Sequence, residues 1–171
     1  MTVEAFGSVG FGLMAGSFAL LAFGGDSIIE LISGFAVLAH LRKGTTGSEM
    51  ESGNTEKLTR ALLFALIPVI GLGSAYSYLT GLRPEGSPFG IAIAVGAVIV
   101  MPFLYFRKKK IGKETRSLPL KIDAIESVTC LFMSIALLGG LLAEHFLGLW
   151  WADYLATAVI LVLVAREALE S

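Results

Sequence analysis

Two carboxylates interrupt a long apolar stretch near the start of the chain. Asp26 and Glu30 lie four residues apart within ALLAFGGDSIIELISGFAVLAHL, and on a helix this spacing places them on one face. So long and apolar a stretch is typical of a membrane helix. Ionisable groups at that depth are costly, and they usually pair, line a water-filled cavity or bind an ion. The spacing therefore predicts a polar or cation-binding face on this helix.

A second polar stripe occurs in the later apolar segment PLKIDAIESVTCLFMSIALLGGLL. Glu126 and Cys130 have the same four-residue spacing, so they also share a helix face. Counting from the ends of the two segments places Glu30 and Cys130 near the middle of the membrane. Asp123 lies closer to the cytoplasmic end. The whole stripe comprises Asp123, Glu126, Ser127, Cys130 and Ser134.

Brought together, the two stripes would place carboxylates and a thiol around one point. Carboxylate oxygens with a thiolate suit a divalent transition metal such as Zn²⁺. Without a cation, clustered carboxylates repel one another and tend to take up protons, so metal and protons would compete for the site. The candidate metal ligands are Asp26, Glu30, Glu126 and Cys130, and the candidate pathway residues are Asp123, Ser33 and His40.

Structural roles are the alternative for several of these residues. Asp26 could cap a helix or face a water-filled vestibule, and Asp123 could pair with a neighbouring basic residue. Cys130 could be a small buried apolar residue. His40 could lie at the membrane interface, and Ser33 could hydrogen-bond to a neighbouring helix.

The composition indicates a polytopic membrane protein. Of the 171 residues, 55% are hydrophobic and only 16% are charged, against about 25% charged in a typical soluble domain. A single cysteine excludes an intrachain disulfide. The first residues lack the basic region of a signal peptide. We expect an all-α membrane protein with one six-helix transmembrane domain over residues 1–171 and no soluble domain.

Lysine and arginine positions predict the orientation of the six spans. With both termini in the cytoplasm, twelve basic residues lie inside and only Arg83 outside, which is a strong positive-inside signal. The run RKKKIGKETR is best interpreted as a cytoplasmic anchor to anionic headgroups, not as a nucleic-acid patch. We therefore expect a multi-pass protein of the plasma (inner) membrane whose partner is the lipid bilayer. The predicted spans are 2–16, 18–41, 57–80, 88–106, 118–142 and 147–167.

Two boundaries carry local signals. Gly16 and Ser17 predict a tight turn between the first two spans, because glycine tolerates turn conformations. Ser87 before Pro88 predicts the capped start of the fourth span.

Three segments resemble the cation diffusion facilitator, or cation efflux, family. They are GSFALLAFGGDSIIELISGFAVL, LKIDAIESVTCLFMS and GLWWADYLATAVILVLVAREA. Asp26 and Glu30 fall on the two acidic positions of the family's second helix. Glu126 and Cys130 fall on the histidine and aspartate positions of its fifth helix, and the third segment is similar to its sixth helix.

The resemblance implies a six-helix homodimer that exports Zn²⁺ or a similar ion in exchange for protons, with a midplane site between helices 2 and 5. Because the chain ends at Ser171, it implies a short member without the C-terminal cytoplasmic domain. The proposed site contains no histidine, which leaves Mn²⁺, Fe²⁺, Co²⁺ and Cd²⁺ open as substrates.

The leading hypothesis is therefore a proton-coupled divalent metal transporter. The alternative is a non-transporting membrane scaffold or partner subunit that keeps the transporter fold. We do not expect an enzyme, because the sequence has no Ser/His pair, HExxH motif or glycine-rich phosphate loop.

Overall fold

The described residues of the chain form a bundle of six α-helices. The computed structural model describes residues 2–42, 49–114 and 118–170, and the side chains of 2–35, 57–111 and 127–169. Within these ranges all regular secondary structure is helical. The helices are α1 (Thr2–Ala15), α2 (Phe18–Arg42), α3 (Glu49–Leu79), α4 (Pro88–Glu114), α5 (Leu118–Leu147) and α6 (Trp151–Glu170).

The turn between α1 and α2 is the one that the sequence predicts. Gly16 has a φ of +65°, a left-handed conformation that glycine adopts without steric cost. The Ser17 amide donates to the Gly12 carbonyl at 3.0 Å, which closes the turn. The Ser17 hydroxyl accepts from the Leu20 amide at 3.1 Å, as an N-cap residue does.

The start of α4 also follows the prediction. The Ser87 hydroxyl accepts a hydrogen bond from the Gly90 amide at 3.0 Å, and its carbonyl accepts from the Ile91 amide at 3.0 Å. Pro88 occupies the first helical position, where its missing N–H costs nothing. The start of α4 is thus determined locally.

Helix α2 occupies the interior of the bundle. The helices follow one another around a ring in the order α1, α2, α3, α6, α5, α4, with α4 returning to α1. Helix α2 additionally packs against α5 and α6 across this ring. The polar stripes of α2 and α5 can therefore meet inside the protein.

The described core is apolar, and so is much of the outer surface. Phe23, Met133, Leu137 and Ile160 are fully buried between α2, α5 and α6. Other large apolar side chains point outward and are well exposed, including Val69, Leu72, Ile99 and Val162. A helix that is apolar on every side belongs in the core of a large protein or in a membrane, and this small bundle fits the second case.

Within the described parts of the chain, four helices are long and apolar enough to cross a membrane. Their apolar stretches are Phe18–Phe35, Lys57–Leu79, Pro88–Ile111 and Ser127–Leu147. Helix α1 is apolar but has only 14 residues, and α6 carries Asp153, Arg166 and Glu167 within its 20 residues. The structure thus contains the six expected helices, and crossing of the membrane by α1 and α6 stays a prediction.

Candidate metal site between α2 and α5

The structure brings three of the four predicted ligands together at the interface of α2 and α5. The Cys130 Sγ atom lies 3.2 Å from Glu30 Oε2 and 3.7 Å from Asp26 Oδ2. All three residues are buried: Asp26 is 3% exposed, Glu30 9% and Cys130 2%. The four-residue spacing on α2 aims both carboxylates at the same partner on α5.

The thiol of Cys130 is the hydrogen-bond donor in this group. A thiol has a single proton, so it donates to one carboxylate at a time. The Cys130 carbonyl in turn accepts from the Ser134 hydroxyl at 2.7 Å, an i−4 bond common for serine in helices. Among the residues whose side chains are described, no group of three or more His, Cys, Asp or Glu side chains is arranged to hold a metal ion.

A lysine from a third helix completes the group. The Lys108 Nζ atom of α4 lies 3.5 Å from Glu30 Oε1 and donates to the Ser127 hydroxyl at 3.0 Å. The Lys108 side chain is 17% exposed and that of Glu30 is 7% exposed. The two oxygens of Glu30 therefore face different partners, an ammonium on one side and a thiol on the other.

The expectation that the basic run only anchors headgroups is wrong at Lys108. This residue belongs to α4, and among the four consecutive basic residues that begin at Arg107 it alone is not exposed. Lys108 shares one helix face with the buried Ala97 and Met101 and the partly buried Leu104, at the spacing i, i+4, i+7, i+11. Because α4 is apolar on its other faces as well, the sequence alone does not mark this face as the inward one.

The remaining predicted residues are placed only in part. Ser33 lies one turn beyond Glu30 on α2 and is half-buried. Glu126 and Asp123 belong to α5 and His40 to α2, but their side chains lie outside the described residues. The roles of all four candidate ligands and all three pathway residues therefore stay predictions.

Apolar side chains close one side of the site. Phe23 lies one turn before Asp26 on α2, and Leu137 and Leu141 follow Cys130 on α5, all with no exposed surface. On the opposite side Lys108 retains some exposure. The side of the site toward the α1–α2 turn is thus fully buried, whereas the side toward the end of α4 is partly exposed.

Asp153 of α6 is a buried carboxylate that accepts hydrogen bonds from the start of α2. It is fully buried, its Oδ1 accepts from the Ser17 hydroxyl, and its Oδ2 accepts from the Phe18 amide at 3.1 Å and the Ala19 amide at 3.5 Å. A negative charge at a helix N-terminus is favourable, and it satisfies amides that otherwise have no partner. Asp153 thus caps α2 from another helix and fixes the start of the helix that carries the site.

The family model for the cation efflux transmembrane domain matches residues 2–171. The chain belongs to the cation efflux family. Among curated proteins, none matches the chain.

Membership explains why acidic residues lie inside an apolar bundle. Cation efflux proteins are multi-pass membrane transporters of divalent metal cations, not a family of enzymes. In this cation efflux protein the apolar outer surface therefore faces lipid.

Proposed function

We propose that this protein exports a divalent transition-metal cation, Zn²⁺ or a similar ion, in exchange for protons, through a midplane site between α2 and α5. The observation that carries the proposal is the contact of Asp26 and Glu30 with Cys130 at a buried helix interface. Buried carboxylates in a membrane bundle are costly unless a cation or proton compensates them.

The separations within this contact support the proposal. Ligands at about 2.0–2.3 Å from Zn²⁺ in a tetrahedron are roughly 3.3–3.8 Å from one another. The sulfur–oxygen distances of 3.2 Å to Glu30 and 3.7 Å to Asp26 are of this size. Glu126, one turn from Cys130 on α5, is the proposed fourth ligand.

Binding would still require local changes, because the described side chains do not yet form a metal cage. The Cys130 thiol must lose its proton, since the thiolate is the metal ligand. That proton, and any carried by the carboxylates, leave as the metal arrives. Competition of this kind is the proposed basis of proton coupling.

The proposed topology places both termini in the cytoplasm, with all six helices spanning the inner membrane as a homodimer. In that orientation the apolar layer of Phe23, Leu137 and Leu141 closes the outer side of the site. The described conformation would then open toward the cytoplasm. His40, Ser33 and Asp123 are the proposed residues of that inner pathway.

Metal flux into proteoliposomes tests the proposal. Glu30→Ala and Asp26→Ala are expected to abolish uptake of Zn²⁺, Mn²⁺ and Co²⁺, while the variants still insert and fold. Glu85→Ala is the matched control, because Glu85 is an exposed carboxylate in the α3–α4 connection. Wild-type flux in both site variants would rule out the assigned site.

The non-transporting scaffold predicts a different result. A metal that binds only the folded state must raise the unfolding midpoint. If the midpoint of the wild-type protein does not change with Zn²⁺, Mn²⁺ or Co²⁺ and no flux is measured, the scaffold is the better description. Metal analysis of purified wild type against Glu30→Ala gives an independent answer.

A further inference from the structure

Helix α4 directs one lysine into the polar interface between α2 and α5. Arg107, Lys109 and Lys110 are exposed, and two of them lie over aromatic rings of their own helix, Arg107 over Phe103 and Lys109 over Tyr105. Lys108 instead continues the buried face of α4 and is 17% exposed. The packing of α4 therefore directs the Lys108 side chain toward the protein interior, whereas the side chains of its basic neighbours are exposed.

The Lys108 ammonium contacts the same carboxylate that would bind a metal. Its Nζ atom is 3.5 Å from Glu30 Oε1, and the Ser127 hydroxyl, 3.0 Å away, holds it from α5. The other Glu30 oxygen faces Cys130. Lys108 therefore supplies Glu30 with a positive charge from within the protein itself.

A divalent ion and this ammonium would repel each other if both lay beside Glu30. A metal coordinated by the carboxylate lies about 2.0–2.2 Å from its oxygen, and an ammonium next to the same group would be only a few ångströms away. At that distance, and with little water between them, the two positive charges repel strongly. The long flexible stem of lysine allows the ammonium to withdraw toward the polar end of α4.

We infer that Lys108 is a tethered cation that neutralises Glu30 in the metal-free protein and is displaced when the metal binds. The inference rests on the proposed function and deepens it, since it adds a residue that sets the metal affinity. An ammonium in place of the metal also removes the cost of carrying an uncompensated carboxylate through the apolar bundle. The empty transporter can then return to its starting conformation without a proton on Glu30, and the protons exchanged for the metal are those of the Cys130 thiol and Asp26.

The test compares variants of the full chain in lipid vesicles, with Zn²⁺, Mn²⁺ and Cd²⁺ as probes. For each variant we would measure the metal Kd, net metal uptake, and exchange of labelled for unlabelled metal. Lys108→Met keeps the apolar stem and removes the charge, and its Kd should fall at least about tenfold because the repulsion is gone. Exchange should persist, whereas net uptake should fall relative to exchange because the empty carrier returns slowly.

Two variants serve as controls. Lys108→Arg keeps the charge and should hold the Kd within about threefold of wild type. Lys110→Met removes an exposed charge two residues away and should change neither the Kd nor the ratio of the two fluxes. A Kd for Lys108→Met that equals or exceeds the wild-type value, or an unchanged flux ratio, overturns the inference.

A measurement on the unaltered protein covers the case in which Lys108→Met does not fold. Modification of Lys108 by an amine-reactive reagent, followed by mass spectrometry, should become faster when Zn²⁺ is added, whereas modification of Lys110 should not. If Lys108 is modified at the same rate with and without Zn²⁺, the metal does not displace its ammonium and the inference is overturned. If the wild-type protein neither binds nor transports any of the three metals, the proposed function fails, and the role of Lys108 fails with it. If the wild-type protein transports metal but Lys108→Met has the same Kd and the same flux ratio, only the inference about Lys108 is overturned.

Discussion

The Sγ atom of Cys130 on α5 lies 3.2 Å from Oε2 of Glu30 on α2. This contact joins residues 100 positions apart in the chain, and each is half of an i, i+4 pair. Because both are buried, a change at either one acts on the interior of the bundle and not on its lipid-facing surface.

Replacing Cys130 should change which metals the protein binds. Cys130→Ser keeps a hydroxyl donor for Glu30 but removes the soft sulfur ligand, so affinity for Cd²⁺ should fall on the order of tenfold or more while Mn²⁺ is little affected. Competition binding of the two metals to purified protein measures this. Ser134→Ala, which loses only the bond to the Cys130 carbonyl, is the control. Equal losses for both metals would mean that sulfur is not a ligand.

The cap that Asp153 provides to α2 should be important for stability. Asp153→Ala leaves the Ser17 hydroxyl, the buried Ala19 amide and the partly buried Phe18 amide without their acceptor, which should cost about 1–3 kcal/mol of unfolding free energy. Asp153→Asn keeps one carbonyl oxygen and should lose less. Titration with a denaturing detergent, followed by circular dichroism, measures the difference. An alanine variant as stable as wild type would show that water replaces the carboxylate.

The contact between α5 and α6 depends on a glycine. A Cβ atom at Gly140 would lie 2.6 Å from Ala156 Cβ and 3.2 Å from the Ala152 carbonyl oxygen. Gly140→Ala should therefore force the helices apart and cost about 1–3 kcal/mol.

The neighbouring Gly139 gives the matched control for that substitution. A Cβ there meets nothing within 4 Å, so Gly139→Ala should be neutral or stabilise the helix by up to about 1 kcal/mol. The unfolding midpoints of the two variants, measured in the same detergent, make the comparison. Similar midpoints would contradict the close packing of α5 on α6.

Glu144 should be a site of stabilising substitution. It is 7% exposed, and neither carboxyl oxygen has a hydrogen-bond partner among the described residues. Glu144→Gln keeps the shape and removes a charge that is costly to bury, so the unfolding midpoint should rise. Metal flux should stay at the wild-type level. A fall in flux with unchanged stability would instead assign Glu144 a part in transport.

The sequence determined the helices, their local ends and one half of the candidate site. Apolar stretches of sufficient length predict membrane helices, Ser17 and Ser87 act within their own segments, and the spacing of Asp26 and Glu30 is enough to place them on one face. Such features depend on residues that are close in the chain, and helical geometry relates those residues without knowledge of the fold.

Only the tertiary structure decided the partners that these residues have. Asp153 caps α2 from 136 positions away, and Lys108 reaches Glu30 across 78 positions. The first contact follows from the packing of α6 against α2, and the second from the packing of α4 against α5, which itself packs against α2. Both depend on how whole helix faces pack. A charged residue at the end of an apolar stretch has the same sequence pattern whether it faces headgroups or the interior, and the packing of α4 selects the interior for Lys108.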